Sequence, residues 1–191
     1  MRLLIFNISF LIFLSGCSNH KLIKDKLSKK DISIVVIDID NQLNKNAKEA
    51  NLGYAIAENL KRKLENEKDI SVIKRPQKPT FKEERRLVQK GRGVNYIISG
   101  SIDSTSTREI YYPPRKRSEG GMSSGWTEYR ACVSGSIKIF KPPFSQSNKT
   151  IEFNHICVKQ NNKNYIEMLT RTAPKVVDET LYDLEEFFVK Q

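Results

Sequence analysis

A nearly unbroken β-branched run, ISIVVIDI at residues 32–39, leaves this chain few ways to fold. A strand with one wet face alternates polar and apolar residues. A strand apolar at successive positions is buried on both faces, the habit of parallel sheets covered by helices. The following residues keep to that plan. Over residues 48–66 the spacing turns helical, with Gly53, Ala57, Leu60 and Leu64 on one stripe and Ile56 beside them. Residues 70–73 (ISVI) predict a short second strand, and residues 74–80 a loop with two prolines. Residues 81–90 predict a basic helix stopped by Gly91, and residues 94–102 (VNYIISGSI) a third strand. Strands and helices alternating at this spacing imply right-handed crossovers and a parallel sheet.

Past residue 104 the pattern changes. Residues 104–125 hold Pro113-Pro114, Arg115-Lys116-Arg117 and Gly120-Gly121, and read as an exposed loop. Residues 129–140 and 150–159 predict two strands joined as a hairpin through KPPFSQSN. Residues 165–188 are helical, with Leu169, Ala173, Val176, Leu184 and Phe188 on or beside one face. Pro174 should kink that helix or mark its true start. The expected fold is α/β: a β-α-β-α-β three-layer core, an added antiparallel β-hairpin and a long C-terminal helix.

Ahead of that domain stand Met1-Arg2, an apolar stretch over residues 3–14, and Ser15-Gly16-Cys17. This is the layout of a secretory signal peptide, and the run is shorter than the roughly 20 residues of a membrane-spanning helix. Leu14-Ser15-Gly16-Cys17 resembles the bacterial lipobox, which implies acylation of Cys17 and cleavage just before it. Several acyl chains at about 0.8 kcal/mol per buried CH₂ would hold the protein to a membrane almost permanently. Ser18 stands where the inner-membrane retention signal has aspartate, so the resemblance implies the outer membrane, with the domain facing the periplasm. The chain then divides into a signal peptide (1–16), an acylated cysteine with a short basic tether (17–30) and the domain (31–191). The tether reaches at most about 45 Å. In that compartment a formal net charge of +11 points to acidic polymers or anionic head groups, where in a cytosolic protein it would point to nucleic acid.

Cys132 and Cys157 lie at the outer ends of the predicted hairpin strands, in an oxidising compartment where paired thiols tend to join. The alternation of Val133, Ile137 and Ile139, and of Ile151, Phe153 and Cys157, sends Cys157 inward and Cys132 outward. A bond between them needs a bulge or another register, and the sequence leaves the pair open. Metal-ligand spacing of the C-x-x-C or H-x-x-x-H kind is missing, and His20 and His155 are the two histidines of the chain. His155 sits mid-strand without the elbow motif of a hydrolase. Asp38 and Asp40, at the carboxyl end of the first strand, stand where α/β folds place binding groups and carry the metal-dependent enzyme reading. A solvated loop explains them as well. Neither cofactor nor catalytic residue is expected. The residues that best fit a partner-binding surface are Tyr111, Tyr112, Arg115, Lys116, Arg117, Trp126 and Tyr129, because aromatics among arginines make interface hot spots.

ISIVVIDIDNQ, LGYAIAENLKRKL, ISVIKR and VNYIISGSIDS, taken in order, resemble the bacterial envelope lipoproteins of the curli-secretion CsgG and LpoB type, with a TolB N-terminal-like α/β domain. Leu52-Gly53, Arg75, Gly100 and Ile102 occupy the places of that pattern. The resemblance implies a non-enzymatic lipoprotein, held in the membrane by its anchor and acting through envelope protein partners. Those partners would belong to secretion or surface-assembly machinery, or, for an LpoB-like activator, to peptidoglycan synthesis. A homo-oligomer is compatible with it. A pore is not expected: membrane hairpins need alternating strands of about 9–11 residues. Residues 104–125 are charged and rich in proline and glycine, and the 141–148 connection is short.

Overall fold

The double-sided apolar run does what its composition requires. Val35 and Ile97 face one side of the sheet, packed with Val94 and Phe144, while Ile34, Val36 and Ile98 face the other, in the main core. In this computed structural model residues 32–41, 44–67, 70–116 and 120–190 are described. Cys17, the signal segment, the tether with His20, and Arg117 lie outside them. In chain order the described elements are β1 (Ile32–Val36), α1 (Lys45–Glu49), α2 (Leu52–Glu65), β2 (Ile70–Val72), α3 (Phe81–Gln89), β3 (Tyr96–Tyr112), β4 (Trp126–Phe140), β5 (Lys149–Gln160), α4 (Tyr165–Thr170) and α5 (Thr172–Val189).

The strands form one five-stranded sheet in the order β2-β1-β3-β4-β5. β1 pairs parallel with β2 (Ile32 opposite Ile70) and with β3 (Ile34 opposite Tyr96). β3–β4 and β4–β5 are antiparallel. The predicted stripe of α2 is buried, with Ile56, Ala57, Leu60 and Leu64 against the same core as Leu184 and Phe188 of α5. Phe81 and Val88 of α3 cover the opposite face. Helices on both sides of β1 and β3 make the expected three layers.

Local chemistry sets the helix ends. The Thr80 side chain accepts from the Glu83 N–H at 3.3 Å at the start of α3. At its end Gly91 takes φ +67°, which lets the Gly91 N–H bond the Val88 carbonyl at 3.0 Å and the Arg92 N–H the Leu87 carbonyl at 2.9 Å. The C-terminal helix is two helices, broken at Arg171, and Pro174 falls in the first turn of α5, where no helical N–H is needed. The expected helix over residues 48–66 is likewise divided, because Asn51 adopts φ +48° between α1 and α2.

Three of the pattern residues do structural work. A Cβ on Gly53 would meet the Ile39 carbonyl oxygen at 2.0 Å, so α2 can lie against the end of the β1 run only with glycine there. Arg75, just after β2, donates through Nε and an Nη to both carboxylate oxygens of Glu84 in α3, at 2.7 and 2.8 Å. Ile102 is buried in the main core.

The largest departure from the sequence reading lies past Ser104. Residues 104–112 are not loop but the outer half of β3, paired with β4 from Thr105–Val133 to Tyr112–Trp126. Serine, threonine and charged residues hid it: a strand whose side chains are nearly all wet has no apolar alternation to read. Arg108 and Arg130 on one face and Glu109 on the other put charge where a membrane-spanning strand has an apolar band.

Tyr96 gives a pH test of the core. Its ring packs edge-on against Phe187 and Phe188, at 5.8 and 5.0 Å between centroids, and burial raises its phenol pKa. The folded chain therefore keeps that proton to higher pH than the unfolded chain. Its stabilising share is complete below the unfolded value, about 10, and is lost as pH climbs from there through the raised folded value. Urea midpoints measured across that range should fall less steeply for Tyr96→Phe than for the native chain.

Candidate functional site: an aromatic arm and a cross-strand disulfide

β4 alternates without interruption, and this sorts its neighbours between two faces. Ala131, Val133, Ile137 and Ile139 join the helix-covered core, while Trp126, Glu128, Arg130, Cys132, Ser134 and Ser136 occupy the other face. Each flanking strand carries one extra residue near Ser134–Gly135. β3 has Asp103 between the pairs Ile102–Gly135 and Ser104–Ser134. β5 runs from Phe153 to Ile156 while β4 runs only from Gly135 to Val133. These bulges bend the sheet where the core stops and the arm begins.

Beyond the Tyr129–Gln160 pair β5 no longer accompanies the arm, which continues as β3 and β4 alone. Tyr112 and Trp126 stand directly opposite and stack at 4.2 Å between centroids, 11° apart. Trp126 remains 47% exposed and Tyr111, on the other face, 63%. Beyond them the chain turns back through an ordered bridge between Lys116 and Met122, with the Arg115 N–H donating to Ser123 Oγ at 2.9 Å. The expected surface therefore splits in two. Tyr112 and Trp126 share the open face with Arg108, Ile110 and Arg130. Tyr111 and Tyr129 lie on the helix side, where Tyr129 meets the Tyr165 ring at 6.1 Å. Arg115 and Lys116 are exposed at the tip. Arg130 donates to Glu128, which raises the guanidinium pKa, and Lys159 lies 3.8 Å from the same carboxylate.

Asp38 Oδ2 pairs with Lys78 Nζ at 2.6 Å. Asp40 bridges to Ser101 through its backbone, its N–H donating to the Gly100 carbonyl at 3.0 Å. Both line a groove of about 370 Å³ with Tyr54, Lys78 and Phe81.

Cys132 and Cys157 are directly opposed and joined as a disulfide. The inward placing of Cys157 is thereby corrected. The bulge at Asn154–His155 reverses the parity of β5, so Ile151 and Phe153 before it, and Ile156 and Val158 after it, all face the helices. The signal was in the sequence as two alternating apolar sets out of phase by one residue. His155, set aside as a mid-strand histidine, has φ +54° and places Nε2 3.7 Å from Cys132 Sγ. Cys132, His155 and Cys157 are the metal-capable side chains that cluster among the described residues, their ligand atoms within 4.8 Å, but the sulfurs are bonded to each other. Replacing both cysteines with serine should lower stability by about 2–3 kcal/mol, read as a drop in urea midpoint that native protein shows only after reduction.

No protein-family model matches the chain, and no curated protein matches it. Several solved structures are similar in fold. A putative lipoprotein from Caulobacter crescentus CB15 is 9% identical over 88% of this chain and 97% of that one, with a TM-score of 0.45. A PelC dodecamer from Paraburkholderia phytofirmans is 10% identical over 78% and 86%, with a TM-score of 0.39. The rare lipoprotein B from Shewanella oneidensis is 6% identical over 83% and 97%, with a TM-score of 0.35. At these values the likeness is one of broad chain course, and nothing about partners passes from those proteins to this chain.

Proposed function

We propose that this chain is an outer-membrane lipoprotein of the CsgG/LpoB kind, anchored at Cys17, that serves an envelope secretion or surface-assembly complex by protein contact rather than catalysis. The observation that carries this reading is the arm. It leaves the helix-covered core as two strands and displays the Tyr112–Trp126 stack beside Arg108 and Arg130. Rigid aromatics flanked by arginines lose little entropy on docking and desolvate well at an interface centre. A short tether keeps that surface close to the membrane.

A photo-crosslinking residue at Ile110, on the open face beside Tyr112, in the full-length lipoprotein, activated in native membranes, should capture an envelope protein. Trp126→Ala should cut that capture about tenfold, the loss of roughly 1.4 kcal/mol of binding. It should change folding stability by less than about 1 kcal/mol, because Trp126 lies outside the core. Capture that ignores Trp126→Ala would refute docking through the arm.

A further inference from the structure

The two sulfurs of the Cys132–Cys157 bond have unlike surroundings. Cys132 is 5% exposed, whereas Cys157, on the edge strand, is half-buried. The His155 imidazole Nε2 lies 3.7 Å from Cys132 Sγ, and the His155 carbonyl oxygen lies 3.2 Å from Cys157 Sγ. Neither contact helps an oxidised pair, which has no S–H to donate and no charge to neutralise. Both suit a reduced pair. A carbonyl accepts from a thiol, and a protonated imidazole donates to a thiolate. The chain adopts an uncommon backbone to make this arrangement. His155 is a non-glycine residue at φ +54°, inside the bulge, with its backbone N–H donating to Ser134 Oγ at 2.9 Å. Such conformations collect at functional sites, because the surrounding structure must hold them in place.

We infer that Cys132–Cys157 is a thiol–disulfide exchange site for a small thiol, with His155 as the group that receives the leaving sulfur. The thiolate RS⁻ approaches from the open face of the sheet and attacks Cys157 Sγ, on the more exposed of the two cysteines. The Sγ–Sγ bond breaks, its electron pair leaves on Cys132 Sγ, and the protonated His155 imidazole donates to that new thiolate. A second RS⁻ attacks the mixed disulfide at the sulfur borne by R. RSSR departs, and the Cys157 thiolate takes a proton from water and donates a hydrogen bond to the His155 carbonyl. Two thiols are oxidised to one disulfide, and one protein disulfide is reduced to two cysteines. The site uses none of the arm's aromatic residues and stands apart from the docking reading.

The test is reduction of the full-length oxidised protein, in detergent, by excess glutathione with acid quenching and mass spectrometry of the trapped mixed disulfide. Glutathione should be found on Cys157. His155→Asn, chosen because asparagine tolerates the left-handed backbone, should slow the reaction at least about tenfold while the oxidised protein keeps its urea midpoint. Glutathione on Cys132, or equal rates in the two proteins, would reduce the bond to a plain brace. If His155→Asn does not fold, the position of glutathione on the native chain decides alone.

Discussion

Arg75→Ala should cost the domain about 3–5 kcal/mol, because it leaves the Glu84 carboxylate buried without its partner. Glu84 is 1% exposed, and both its oxygens accept from the Arg75 guanidinium, at 2.7 and 2.8 Å. The hydrogen bond to Glu84 raises the pKa of that guanidinium above its already high value, so it carries its charge at any pH the fold meets. Arginine is required by its shape. Its planar fork matches two carboxylate oxygens at once, so Arg75→Lys should recover only part of the loss. The pair ties α3 to the chain leaving β2. The check is a double-mutant cycle in urea. Arg75→Met with Glu84→Leu removes both charges and should be far less damaging than Arg75→Ala alone. A single mutant within about 1 kcal/mol of native would show that water reaches Glu84.

Gly135→Val should be of similar size, about 4 kcal/mol, for a steric reason. A Cβ there would lie 2.2 Å from the Ser101 carbonyl oxygen and 2.7 Å from Phe153 Cζ. Overpacking usually costs about 1–3 kcal/mol because side chains can give way. At Gly135 the nearer obstacle is backbone of the neighbouring strand, so relief means opening the β3–β4 ladder beside the Asp103 bulge. Gly121 provides the contrast. It has φ +87° with nothing near its would-be Cβ, so Gly121→Ala should cost only about 1 kcal/mol of backbone strain. Thermal midpoints for the two variants should separate by several degrees, on the scale of about 2–4 °C per kcal/mol for a chain of this size.

The sites follow from the same two bulges. Asp103 and Asn154–His155 each shift a strand by one residue on either side of β4, and together they set which residues share the open face. Without the second bulge Cys157 would point into the core, and His155 would not reach Cys132. The Tyr112–Trp126 stack, by contrast, needs only the hairpin, since two aromatics directly opposite each other pack wherever the strands pair.

The residue order by itself determined the parallel β1–β2–β3 core, the buried stripe of α2, the stop of α3 at Gly91 and the break before α5. Each is written in a local period or a single residue, a run apolar at every position, a 3.6-residue stripe, a glycine past a helix, a proline in a first turn. It also brought together most of the aromatic and basic residues of the arm, though as a loop. Tertiary structure alone decided that residues 104–112 are a strand, that the aromatics divide between two faces, and that Cys132 meets Cys157. Those outcomes depend on register, and register is fixed by partners far along the chain. One inserted residue turns every later side chain to the other face, and its place is chosen by what the neighbouring strand leaves room for.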